Sequence, residues 1–196
     1  MISSLRRTGL LAVAVALMAA CSSEPATSPT TRVAAPEAPS ADLVGSLLNS
    51  LHLIPVLQRT TALAAPITVT QTVGWAGGTL SIPQAGVTVT IPQGALTTPT
   101  VITMTARAGS AIAYDFGPHG ITFAKPLSLK QKLAGTNANL VTGLLLQLGY
   151  YPDPSLLGGT FALVSELISG SVNLLDWSFT APVSHFSGYV IACGRE

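Results

Sequence analysis

The sequence predicts an all-β protein, an antiparallel β-sandwich over residues 67–196, and two observations predict it. From Ile67 onward apolar side chains recur at a period of two, separated by Thr and Ser. Gly and Pro clusters interrupt these runs every eight to twelve residues or so, the spacing of sandwich strands and their turns. Charged residues make up only 9% of the 196-residue chain, so Ser, Thr, Gly, Asn and Gln must cover its surface. No window after Cys21 is long and apolar enough for a transmembrane helix.

Ahead of the sandwich the chain changes character three times. Arg6 and Arg7 precede an unbroken small-and-apolar run over residues 9–20, which Met18-Ala19-Ala20-Cys21 closes. A positive start, a short apolar core and small residues at the cut site predict a signal peptide over residues 1–20. Twelve residues are too few for a permanent span. Cys directly after two Ala resembles a bacterial lipobox, with Met18 where Leu is usual. The resemblance implies lipidation of Cys21, export and a membrane anchor. Ser22 carries no Asp-type retention signal, which favours the outer membrane of a two-membrane cell. Removing residues 1–20 changes the formal charge from +1 to −1. With no basic run, that balance argues against nucleic acid as a partner.

Residues 21–40 hold Pro25, Pro29, Pro36 and Pro39 among Ser, Thr and Ala, the composition of an extended spacer. Over residues 42–54 the spacing predicts a short amphipathic helix, with linker to residue 66. Asp42 stands at its start, and Leu43, Val44, Leu47, Leu48, Leu51 and Ile54 share one arc of roughly 140°. Leu53 breaks the arc and Pro55 ends it. The missing Lys and Arg favour a helix packed on its own domain over one lying on a membrane.

The strands follow in order. Leu80 and Ile82 share a side; Val87, Val89 and Ile91 alternate with Thr88 and Thr90; Ile102, Met104 and Ala106 oppose Val101, Thr103 and Thr105. Ile112, Tyr114 and Phe116 form the next face, then Leu127 and Leu129, then Leu144, Leu146, Leu148 and Tyr150. Phe179, Ala181 and Val183 precede a final strand around Tyr189, Ile191 and Cys193. Residues 163–175 fit either a helical turn or a long connection. A lipidated Cys21 leaves Cys193 without an intrachain disulfide partner, and its position predicts a small buried hydrophobe.

Three stretches carry a family resemblance: Gly77-Gly78-Thr79-Leu80, Ile91-Pro92-Gln93-Gly94-Ala95-Leu96, and Gly117-Pro118-His119-Gly120 running on to Phe123 and Pro126. Over residues 73–132 this ordered set resembles the ZU-five domain, the β-sandwich module of tight-junction scaffolds, netrin receptors, ankyrins and some death-domain proteins. The resemblance implies a sandwich that serves as an interaction or structural module. In the death-domain relatives a His-Phe-Ser triplet marks a self-cleaving bond, and His185-Phe186-Ser187 matches it here. By that analogy the Ser187 hydroxyl attacks the Phe186 carbonyl with His185 as base, cutting between Phe186 and Ser187. The plainer alternative has the triplet filling a sandwich corner.

Other chemistry is thinly represented. The acids are scattered, and His52, His119 and His185 lack metal-ligand spacing, so no cofactor and no metal is expected. His119 fits a base near Asp115 or, more simply, a corner histidine bonded to backbone. Trp75, Trp177, Tyr150 and Tyr151 would be the platform of a polysaccharide-binding module, the third function considered. The leading expectation is a non-enzymatic envelope module whose partner, protein or glycan, is unknown.

Overall fold

A computed structural model describes residues 52–193. The signal segment, Cys21, the spacer and residues 42–51 of the expected helix lie outside the described residues. Two antiparallel sheets face each other. The six-stranded sheet runs in the order β12 (Glu166–Ser169), β10 (Leu146–Tyr151), β15 (Gly188–Cys193), β8 (Ala113–Gly117), β6 (Thr100–Ala106), β3 (Ile67–Val73). The five-stranded sheet runs β13 (Ser171–Asn173), β14 (Ser178–His185), β9 (Thr122–Lys132), β5 (Val87–Ile91), β4 (Gly78–Ile82). Two ribbons complete the fold: β1 (His52–Pro55) with β11 (Phe161–Val164), and β2 (Gln58–Leu63) with β7 (Gly109–Ala111).

The period-two pattern supplies the core directly. Val87, Val89 and Ile91 of β5, Leu127 and Leu129 of β9, and Phe179, Ala181 and Val183 of β14 are buried on the inner face of the five-stranded sheet. Ile102, Met104, Tyr114, Phe116, Leu146, Leu148, Tyr189 and Ile191 meet them from the other side. Tyr114 brings a hydroxyl into this core, and Gln131 and the Ala85 carbonyl accept its proton there. Burial pushes the Tyr114 phenol well above its ordinary range. Gly77 turns the chain into β4 at a φ of 79°, a conformation that favours glycine.

A second cluster lies on the outer side of the six-stranded sheet, where Ile54, Val56, Ala162 and Val164 cover Val190, Ala192 and Tyr151. This explains the unbroken apolar run from Tyr189 to Ala192: β15 is buried on both faces, so alternation has no reason to appear.

The same ribbon corrects the expected helix. His52, Leu53 and Ile54 are strand, paired in register with Val164, Leu163 and Ala162. Leu53 points out at 62% exposure while Ile54 is buried, which is strand alternation. Ile54 fits because Gly149 of β10 leaves its face open: a Cβ there would stand 3.2 Å from Ile54 and 2.8 Å from Val164. Partners so far along the chain leave no local trace, and Pro55 is tolerated in a ribbon at the margin of the fold. The folded body therefore includes β1 and β2 and begins before residue 67. Leu144 is corrected too. It closes a one-turn helix, α1 (Leu140–Leu144), started by an Asn139–Thr142 capping box. Residues 163–175 form the end of β11, then β12 and β13, with Gly170 at the step between the sheets.

Candidate functional site

The two residues Phe186 and Ser187 join β14 to β15, and so carry the chain from one sheet to the other. A crossing this short forces the first side chain into the space between the layers. Phe186 is buried there, stacked on Phe116 at 5.2 Å and edge-on to Phe123 at 4.7 Å. β8 and the stretch after it hold the crossing by their backbone. Phe186 N–H donates to the Ile121 carbonyl at 3.0 Å, and Phe116 N–H donates to the Ser187 carbonyl at 3.0 Å. Gly120 N–H reaches the Phe186 carbonyl at 3.5 Å. The Gly117-Pro118-His119-Gly120 segment, whose Gly117–Pro118 peptide is cis, thus braces the His-Phe-Ser triplet. These two sequence motifs are neighbours in space.

His185 faces away from this crossing. Tyr189 Oη donates to the His185 carbonyl at 2.8 Å and lies 3.2 Å from His185 Nδ1. The Tyr150 ring stands edge-on to the imidazole at 5.0 Å, and Glu166 Oε2 is 4.0 Å from Nε2. Burial raises the Tyr189 phenol well above its ordinary range. Among the described residues no hydrogen bond joins His185 to Ser187, and Trp177 is the only non-glycine residue with positive φ. Ser187 is buried and stands two residues from its expected base, without being joined to it.

Beside the crossing opens a cleft of about 680 Å³, lined by Asp115, His119, Tyr150, Tyr151, His185 and Pro152 among others. Its floor is a polar network that sequence reasoning missed. Arg107 Nη1 donates to Asp115 Oδ2 at 2.8 Å, and Tyr151 Oη donates to Asp115 Oδ1 at 2.9 Å. Burial, with Asp115 adding to it, pushes the Tyr151 phenol far up, so it stays a donor. Pairing of β6 with β8 sets Thr105 opposite Asp115, bringing Arg107 within reach. That pairing, invisible in spacing alone, is the signal that was lacking.

His119 stands exposed on the cleft rim and makes no side-chain hydrogen bond among the described residues, so the expected backbone bond is absent. The four-aromatic platform is not assembled. Tyr151 is buried behind Asp115, Tyr150 lines the cleft, and Trp177 lies at the opposite end of β14. Trp75 sits in the turn before β4, outside the cleft. Among the described residues no group of three or more His, Cys, Asp or Glu is placed to hold a metal ion. Cys193 is half-buried, and burial raises its thiol above the usual range.

Residues 69–114 match the family model of the ZU5 domain. The matched stretch runs from β3 into β8 and contains both the Gly77-Gly78 and the Ile91-Pro92 motifs. No curated protein matches the chain.

Proposed function

We propose that this is an exported, lipid-anchored protein of the cell envelope whose sandwich is a non-enzymatic protein-interaction module. The ZU5 domain is such a module, and its match runs from β3 into β8, stopping just short of the residues that line the cleft. The observation that carries the reading is the fate of the His-Phe-Ser triplet. Phe186 is spent on core packing and His185 on Tyr189 and Tyr150, so the corner supports recognition rather than bond cleavage. The cleft offers an aromatic edge, two histidines and proline walls with Asp115 neutralised by Arg107. That surface suits a polypeptide segment better than a nucleic acid or a metal.

The test is a photo-crosslinking residue placed at Tyr150 in living cells, with a second placed at exposed Thr79 on β4 as control. A discrete adduct at Tyr150 and none at Thr79 is expected. Equal labelling, or none at either, overturns the cleft as the interaction site.

A denaturing mass measurement on the full chain extracted from membranes examines the corner and the anchor together. The expected species begins at acylated Cys21 and continues unbroken through Phe186 and Ser187 after prolonged incubation. A fragment beginning at Ser187 would establish self-cleavage instead. A chain that retains residues 1–20 and carries no acyl mass would sink the anchor.

A further inference from the structure

The end of the sandwich remote from the cleft carries exposed aliphatic side chains that the interaction site does not use. Leu175 is 98% exposed, and Leu140, Val141 and Leu144 are 67%, 71% and 68% exposed. Leu145 and Leu174 are exposed beside them. They project from two lobes, α1 with the residue after it and the turn between β13 and β14. The lobes are joined at Trp177, whose ring packs on Gly143 so closely that a Cβ there would lie 2.9 Å from Cη2.

Neither lobe is slack. Asn139 and Thr142 cap α1 reciprocally, and Asn173 Oδ1 accepts from Leu175 N–H at 2.9 Å to fix the turn. Asp176, the charge nearest the tip of the turn, is paired with Lys130 at 2.5 Å and accepts from Ser178 at 2.7 Å. Six large aliphatic residues are thus held outward on a preorganised tip, with exposed Lys132 of β9 at its base opposite Ser178. Exposed apolar groups on this scale mark a contact surface.

We infer that this tip inserts into the interfacial layer of a lipid bilayer. Its chemistry favours lipid over protein. Protein interfaces are enriched in aromatic, Met and Arg anchors, whereas Leu and Val dominate here, around a shallow apolar hollow that Leu140, Val141 and Trp177 line. The one aromatic residue, Trp177, lies half-buried at the base of the lobes, the level at which indoles favour a membrane–water boundary. The chain outside the structure supplies proximity, and in this the inference rests on the lipid anchor proposed above. Residues 22–51 reach at most about 100 Å when extended. The eight residues of β14, from the tip at Ser178 to the cleft at His185, span only about 25 Å. An anchored molecule can therefore turn its tip to the bilayer that holds it, leaving the cleft facing outward.

Trp75 and Trp177 are the only tryptophans in the sequence. The Gly94 N–H bonds the Trp75 carbonyl, and Lys125 of β9 reaches Gln93, so Trp75 reports from the cleft end. The experiment uses the full acylated chain in phosphatidylcholine–phosphatidylglycerol vesicles with brominated acyl chains. Emission from Trp177 in a Trp75→Phe variant should fall at least twofold against unbrominated vesicles. Emission from Trp75 in a Trp177→Phe variant should not. In the Trp75→Phe background, Leu174→Asp with Leu175→Asp should abolish the quenching while the acyl chain keeps the protein on the vesicle. Both sites are exposed, and an unchanged melting temperature confirms the fold.

Three outcomes overturn the inference: no quenching of Trp177 in protein that floats with the vesicles, equal quenching of both tryptophans, or Trp177 shielded from acrylamide before lipid is added. The last would mean that a second copy or the leucines of residues 43–51 already cover the tip. The mass of the same material separates the two readings. Protein lacking the acyl group that still shows quenching with added vesicles removes the anchor and keeps the tip.

Discussion

Phe186→Ala should destabilise the protein by about 4 kcal/mol, near the top of the range for large-to-small core changes. The side chain fills the gap between the sheets at the one place where the chain crosses directly from β14 to β15. Its removal forfeits the stack on Phe116, the edge contact with Phe123 and the burial of a full ring. The cavity left behind has little means of closing, because the backbone on both sides is bonded to β8 and the stretch after it. Chemical denaturation should show the loss as a lower midpoint at unchanged slope. Phe186→Leu should recover most of it. A loss below about 1 kcal/mol for the alanine variant would mean that the ring is not the anchor of this corner.

Gly188→Ala should cost about 3 kcal/mol, the upper part of the usual overpacking range. A Cβ at this position would stand 2.1 Å from Tyr151 Cε2 and 2.5 Å from Cζ. Tyr151 is fully buried and its hydroxyl is bonded to Asp115, so the ring cannot swing aside without breaking the floor of the cleft. The double variant with Tyr151→Leu should be more stable than the sum of the two single losses, since the smaller side chain removes the clash. Strict additivity would show that the strain lies elsewhere. The substitution adds no polar group and takes none away, so the measured effect is steric.

Much of the sandwich was legible because its inner faces alternate. Val87, Val89 and Ile91, or Phe179, Ala181 and Val183, read as strands since one side meets the core and the other meets water. Legibility failed where that asymmetry fails. His52, Leu53 and Ile54 read as helix because Leu and Ile at suitable spacing fit an arc as well as a ribbon. Only Gly149, nearly a hundred residues on, decides between them. Leu144 continued an alternating pattern with Leu146 and Leu148, yet the Asn139 cap captured it for a helix.

The site was half legible. The triplet at 185–187 and the glycine corner at 117–120 were each visible as motifs, but their mutual bracing follows from sheet order. The Arg107–Asp115–Tyr151 network depends on pairing between β6, β8, β15 and β10, for which no spacing rule exists.

The place of β15 has a consequence for how the protein is made. It lies in the interior of the six-stranded sheet, flanked by β10 on one side and β8 on the other, and it is the last of the described strands to leave the ribosome. Until it emerges, the nascent chain holds two partial sheets with no strand to join them. Contacts so distant in sequence are slow to form, and they cannot form while the final strand is still being synthesised. Closure of the six-stranded sheet therefore waits on β15, and the described strands made before it stand in an incomplete fold until it arrives.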